Sequence, residues 1–167
     1  MNIELYSQTK QLMKKHQWES VIDILDAETL DKSNDWRLYW NAGWSNFKLS
    51  RFKQSRIYFQ KAIRLTSKPE EKSSCLTFLG LSEIEESRFE EAKGVLEEAL
   101  QLKDSTLARK SLALAYINLD QLEQAEKVHT EGVKLEPDNK ERLAAYGNFL
   151  LDSGRDEEAE EIRNRLN

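Results

Sequence analysis

The sequence predicts an all-α fold built from repeated helix pairs, and three observations carry that expectation. The 167 residues include only six glycines and two prolines, while Ala, Leu, Glu, Lys and Gln, all strong helix formers, are abundant. No stretch alternates apolar and polar residues at period two for long enough to read as a strand. Small residues recur at Thr9, Gly43, Gly80, Ala113 and Gly147, with gaps of 34, 37, 33 and 34 residues. A fixed period of that length is the signature of a repeat architecture.

Each copy carries further slots in register. Twelve residues after each small position comes a second, mostly small one: Val21, Ser55, Ala92, Ala125 and Ala159. Four residues later stands a bulkier side chain at Leu25, Phe59, Leu96, His129 and Arg163, and a third slot holds Ala62, Ala99 and Gly132. Small residues let two helices approach closely, and large ones fill the space above and below the crossing. Breaks fall at Asn34-Asp35, Lys68-Pro69, Asp104-Ser105 and Pro137-Asp138. Pro69 and Pro137 are each placed where a helix starts, since proline is tolerated in a first turn. The 37-residue gap implies three extra residues within 66–73, either a longer loop or an extra turn on the following helix. The last helix keeps an apolar stripe of Ala159, Ile162 and Leu166 and is otherwise charged, which suits a terminal cap.

The period and slots resemble the tetratricopeptide repeat, whose pattern pairs a Trp-x2-Leu-Gly-x2-Tyr first helix with an Ala-x3-Phe…Pro second half. The third copy reads Leu76-x2-Leu79-Gly80, then Phe89-x2-Ala92-x3-Leu96-x2-Ala99. The fourth reads Leu112-Ala113-x2-Tyr116, then Leu122-x2-Ala125, Gly132 and Pro137. The second reads Tyr39-x2-Ala42-Gly43, then Phe52-x2-Ser55-x3-Phe59-x2-Ala62, and the fifth Leu143-x2-Tyr146-Gly147, then Ala159. The first copy is degenerate and departs from the pattern at Glu28. The resemblance implies a single domain over 1–167, a right-handed superhelical solenoid of about five repeats: 2–34, 35–68, 72–104, 105–138 and a capping 139–167.

Charge and composition narrow the function. The net charge of −5 is uneven: residues 1–72 carry +4 and residues 73–167 carry −9. An acidic chain is a poor ligand for nucleic acid or an anionic bilayer, and the basic first part leaves only a small opening for acidic partners. No apolar run approaches the length of a spanning helix, and the first residues lack a signal-peptide core. Cys75 is the only cysteine, so no internal disulfide forms. These features lead us to expect a cytoplasmic protein with no membrane contact.

In the resembling family the first helices line a concave groove. Counting three or four residues at a time along that face brings Tyr6 and Lys10, then Arg37, Trp40, Trp44 and Lys48, then Thr77 and Leu81, then Lys110 and Leu114, and finally Asn148 to the expected groove. Trp36, Trp40 and Trp44 are spaced i, i+4, i+8 with Phe47 beyond. This aromatic stripe either faces the groove as a binding surface or fills the seam against the neighbouring repeats. Trp18 falls in a slot that is usually aromatic in the family and reads as packing. Lys10, Arg37, Lys48 and Lys110 flank the aromatics, a combination suited to a protein segment with acidic residues beside apolar anchors. One subtype of the family clamps a chaperone C-terminal carboxylate with a Lys/Asn/Asn/Lys/Arg set. Here those slots hold Tyr6, Lys10, Asn41, Ser74 and Phe78; only Asn41 matches, which argues against that ligand.

Nothing in the sequence supplies a reaction centre. His16 and His129 are isolated, so neither a metal site nor a cofactor is expected. Phosphate-binding loops and nucleophile elbows are absent. Cys75 sits near a helix start, where a thiol can be acidified, but no histidine accompanies it. His129 reads as a packed inter-helix residue. The reading is a non-catalytic protein-interaction module. A small chaperone for a secreted or assembling client is one alternative, and a structural protein that self-associates through the aromatic stripe is another.

Overall fold

The computed structural model describes residues 2–166. Among them lie eleven helices and no strand. The helices form two compact units, one up to Lys103 and one from Asp104 onward, and each is described in turn.

The first unit holds α1 (Asn2–Lys14), α2 (Trp18–Ile24), α3 (Ala27–Asp31), α4 (Trp36–Lys48), α5 (Phe52–Leu65), α6 (Pro69–Glu85) and α7 (Phe89–Leu102). The pairing α4/α5 and α6/α7 follows from the small slots. A Cβ added to Gly43 would sit 3.0 Å from the Phe59 ring, and one on Gly80 only 2.5 Å from Leu96 Cγ. Phe59 and Leu96 are wholly buried. Each bulky side chain of the second helix therefore presses on bare backbone of the first. At the equivalent place in α1, the Thr9 hydroxyl donates to the Leu5 or Tyr6 carbonyl and accepts from Asn41 Nδ2 at 2.8 Å, which ties α1 to α4. A buried Ser55–Ser82 hydroxyl pair links α5 to α6.

Two departures from the expected pattern have local causes. The second helix of the first pair breaks after Leu25 because Asp26 adopts an extended conformation and accepts the Thr29 N–H at 2.8 Å, which starts the short α3. Buried Leu30 of α3 then offers its carbonyl to the Tyr39 hydroxyl at 2.7 Å. The extra residues of the long gap lengthen α6 to 17 residues, with Pro69 in its first turn. They do not form a loop.

The second unit holds α8 (Thr106–Asn118), α9 (Leu122–Leu135), α10 (Lys140–Asp152) and α11 (Asp156–Asn164). Pro137 does not open α10 as its position suggested. It lies in the preceding turn, and Asn139 caps the helix by accepting the Arg142 N–H. Two arginines are buried here. Asp104 accepts from both Arg109 and Arg142; Arg109 also donates to the Val128 carbonyl and Arg142 to the Gly132 carbonyl, each at 3.0 Å. Partial burial pushes the Asp104 carboxyl up, but the two guanidiniums outweigh it and hold the carboxyl below its ordinary value. Gly132 is required by this arrangement: a Cβ there would lie 2.8 Å from Arg109 Cδ.

All five in-pair turns share one backbone solution. Each is three residues long, and its middle residue is left-handed: His16, Ser50, Ser87 and Asp120 at φ 57–58° and Gly154 at φ 72°. The next N–H, at Gln17, Arg51, Arg88, Gln121 or Arg155, donates to the carbonyl five residues back at 2.9–3.0 Å, the Schellman closure. Only the last turn uses the residue that adopts this conformation without steric cost.

Two stability outcomes follow. Gly80→Ala gains helix propensity but drives a methyl into Leu96, so chemical denaturation should show a loss of about 1–3 kcal/mol. Ser87→Gly relieves a left-handed residue and should raise the unfolding free energy from chemical denaturation by about 0.5–1 kcal/mol, while Gly154→Ala should lower it by a similar amount.

Candidate functional site

A cavity of about 310 Å³ opens on the first unit, lined from α1, α2 and α4 by Tyr6, Lys10, Met13, Lys14, Trp18, Trp36, Arg37, Trp40, Asn41 and Trp44. All four tryptophans of the chain meet it. The helical spacing of Trp36, Trp40 and Trp44 places them along one side of α4. The opposite side carries Leu38, Tyr39, Ala42 and Gly43 in the core. Trp40 and Trp44 stack at 5.9 Å, and Trp44 stacks on Phe47 at 5.8 Å. Phe78 of α6 meets both rings edge-on, at 5.7 and 4.7 Å, and itself stacks on Phe59. Each such pair adds roughly 0.5–1.5 kcal/mol beyond simple burial, so the rings stand rigid without being covered. Trp36, Trp40 and Trp44 are each half-buried, and all three line the cavity.

The cavity rim is cationic. The Arg37 guanidinium lies 4.6 Å from the Tyr6 ring centre and Lys10 Nζ 5.8 Å from it. Lys48 Nζ sits 5.1 Å from the Trp44 ring centre. Asp35 caps α4 and grips Arg37 through two side-chain bonds at 2.9 and 2.6 Å. That pairing holds the Asp35 carboxyl down and pushes the Arg37 guanidinium up. Lys10, Lys14 and Lys48 have no acidic partner within ion-pair distance among the described residues. Asn41 is buried and its amide is committed to Thr9.

The expected groove residues fall into three groups. Tyr6, Lys10, Arg37, Trp40 and Trp44 come together at the cavity, with exposed Lys48 at its Trp44 end. On α6, Leu81 is half-buried. Thr77 departs from the groove-lining expectation: it is 3% exposed, and its short side chain turns back to donate to the Ser73 carbonyl at 2.8 Å. Lys110, Leu114 and Asn148 belong to the second unit and are exposed; Lys110 pairs with Glu141 at 3.6 Å. Lys14 and Trp18 were not assigned to the site from the sequence. Lys14 follows Lys10 by one turn, a spacing that signals a shared face. Trp18 occupies its packing slot only halfway and stands edge-on to His16 at 5.4 Å.

The groups with chemical potential lie outside the cavity. Cys75 is fully buried, and burial pushes its thiol up to about 12, against the acidification its helix-start position suggested. His129 stacks with Tyr146 at 6.1 Å and meets Phe149 at a tilt at 5.2 Å. Burial, aided by Arg109, pushes its pKa down to about 4. A neutral enclosed imidazole and an un-ionised thiol are packing groups. No helix among the described residues is long and apolar enough to cross a membrane.

Comparison with known proteins places the fold. The tetratricopeptide-repeat family model matches residues 37–69 and 111–139. Human protein O-mannosyl-transferase TMTC2 is 34% identical over 94 residues, 54% of this chain and 11% of that protein, so the chain spans about a tenth of this relative's length. Among solved structures, a MamA RS-1 double mutant superposes with a TM-score of 0.77 at 17% identity, over 96% of this chain and 89% of that one. MamA from Desulfovibrio magneticus RS-1 gives 0.76 at 19% identity, over 97% and 91%. YrrB, described as a TPR protein with an unusual peptide-binding site, gives 0.70 at 18% identity, over 96% and 82%. At these identities the structural likenesses establish the fold alone.

The buried imidazole predicts a pH effect. His129 stays neutral in the folded state, while the unfolded chain takes a proton near its ordinary pKa of 6.5. Its contribution is therefore intact above that value and is lost as pH falls toward about 4, up to about 3 kcal/mol across the window. Denaturation midpoints should decline between pH 6.5 and 5, and His129→Phe should flatten that decline.

Proposed function

We propose that the first unit of this chain, two stretches of which match the tetratricopeptide-repeat family model, is a non-catalytic docking module that holds a segment of a partner protein against the tryptophan-lined cavity. The observation that carries this reading is the convergence of all four tryptophans on one cavity whose rim carries Lys10, Lys14 and Lys48 without acidic partners. Half-buried tryptophans offer large apolar area at little entropic cost and are favoured as interface anchors. The unpaired lysines favour a segment with carboxylates beside an aliphatic or aromatic side chain, because opposite charge steers encounter and fixes register.

The tryptophans also carry the affinity. The rings of Trp40 and Trp44 are already fixed by Phe78, Phe59 and each other, so a ligand orders few side chains on binding, and preorganisation of this kind lowers the cost of association. Arg37 is occupied by Asp35 and positions the Tyr6 ring, which leaves charge recognition to the lysines. The peptide-binding site named for YrrB belongs to a protein of the same fold and is compatible with this role. The transferase name of the human relative attaches to a protein of which this chain matches only 11%, and the role proposed here includes no reaction.

The test is recovery of partners by affinity purification with Lys10→Glu/Lys14→Glu, which alters only the rim, and separately with Trp44→Ala. Recovered segments should then quench or shift the intrinsic tryptophan fluorescence of the wild type. Charge reversal should weaken binding about tenfold or more, a loss of about 1.4 kcal/mol, with the circular dichroism unchanged. Partners that survive both changes with full affinity would sink the assignment.

A further inference from the structure

The break after Leu25 has a consequence on another face of the first unit. With α3 set off from α2, a second cavity of about 310 Å³ lies between α3, α4 and α5, lined by Ala27, Leu30 and Asp31, by Tyr39, and by Gln54, Ile57, Tyr58, Gln60, Lys61 and Arg64. It shares no residue with the tryptophan-lined cavity. Helix α5 carries four basic residues and no acidic one. Arg56 is consumed by Glu83 and Glu86. Lys53, Lys61 and Arg64 have no acidic partner within ion-pair distance among the described residues. They lie with Ile57 at positions i, i+4, i+8 and i+11 along one outward stripe, while Ser55, Phe59 and Ala62 face the core. Ile57 stands 49% exposed in the middle of the stripe. Lys61 Nζ rests 5.9 Å from the Tyr39 ring centre at the cavity wall.

We propose that this α3–α5 face is a second docking surface, separate from the tryptophan cavity, and that its occupant is an acidic segment of a partner protein that places an aliphatic side chain in the cavity beside Ile57 and its carboxylates on Lys53, Lys61 and Arg64. The cavity walls at Leu30, Tyr39, Ile57 and Tyr58 supply the apolar contact. Three unpaired cations against the single carboxylate of Asp31 set the sign of the partner. The spacing of cations on both sides of Ile57 asks for acids flanking the apolar residue, and the segment's charge keeps it off the acidic residues 73–167.

The test uses the peptide Glu-Glu-Leu-Leu-Glu-Glu with a carbodiimide, which joins its carboxylates to lysine amines within contact range, and mass spectrometry to map the adducts. Adducts should concentrate at Lys61 and Lys53, about fivefold or more above the exposed Lys134 of the second unit, and disappear in high salt. Ile57→Ser/Arg64→Glu should remove that excess, and Glu-Glu-Ser-Ser-Glu-Glu should not produce it. Lys10→Glu/Lys14→Glu should leave it unchanged, which separates this surface from the tryptophan cavity. Labelling of Lys61 no greater than that of Lys134, equal labelling by the serine peptide, or removal of the excess by an equimolar oligothymidylate would each overturn the proposal. The last outcome would mark the face as a phosphate reader instead.

Discussion

Two helices approach only as closely as the side chains at their crossing permit, and the rest of this structure follows from where those side chains are small. Gly80 lies under Leu96 at a distance that leaves no room for a methyl group, and Gly43 lies under the Phe59 ring at one that a methyl group would fill only by shifting the ring. The contact spends no apolar surface on spacing and fixes the rotation of each first helix about its axis. With Leu38, Tyr39 and Ala42 turned into the core, α4 has no choice but to carry Trp36, Trp40 and Trp44 on its other side. The binding face is thus a by-product of the packing face. In the second unit the same slot logic accommodates charge: Gly132 makes way for Arg109, and Asp104 compensates two buried guanidiniums that would otherwise be costly to desolvate.

The tryptophans belong to both structure and surface. Phe78, a residue of the next pair, supplies the edge against which Trp40 and Trp44 lean. The cavity is therefore supported by a helix that does not line it. Asp35 has a similar double role: it caps α4 and holds the Arg37 guanidinium over Tyr6.

Most of the architecture was legible in the sequence because packing slots recur with the period of the unit. Gly43, Gly80, Ala92, Ala99 and their equivalents needed only to be aligned. The break at Asp26 was hidden by the degenerate first copy, although Asp26 with Thr29 is an ordinary cap pair. The left-handed turns were hidden for another reason: His, Ser and Asp occupy four of the five, and glycine announces only the last. At the candidate site, helical spacing put Tyr6, Lys10, Arg37, Trp40 and Trp44 on one face once the family resemblance had said which face to count along, and these five line one cavity. Thr77 does not join them, and spacing alone cannot tell that a short side chain will bond its own backbone. Trp18 and Lys14 were missed because their exposure depends on how α1 and α2 sit against α4.

The five in-pair turns have the same length, a left-handed residue at the same middle position and the same closing hydrogen bond. A single inserted residue there would break the closure and swing the second helix off its partner. The junctions between pairs vary in length, three or four residues, and it is beside one of them that α6 gained its additional turn. Growth, shrinkage or the grafting of a foreign loop in this chain thus has one outlet: the seams between hairpins, never the bends within them.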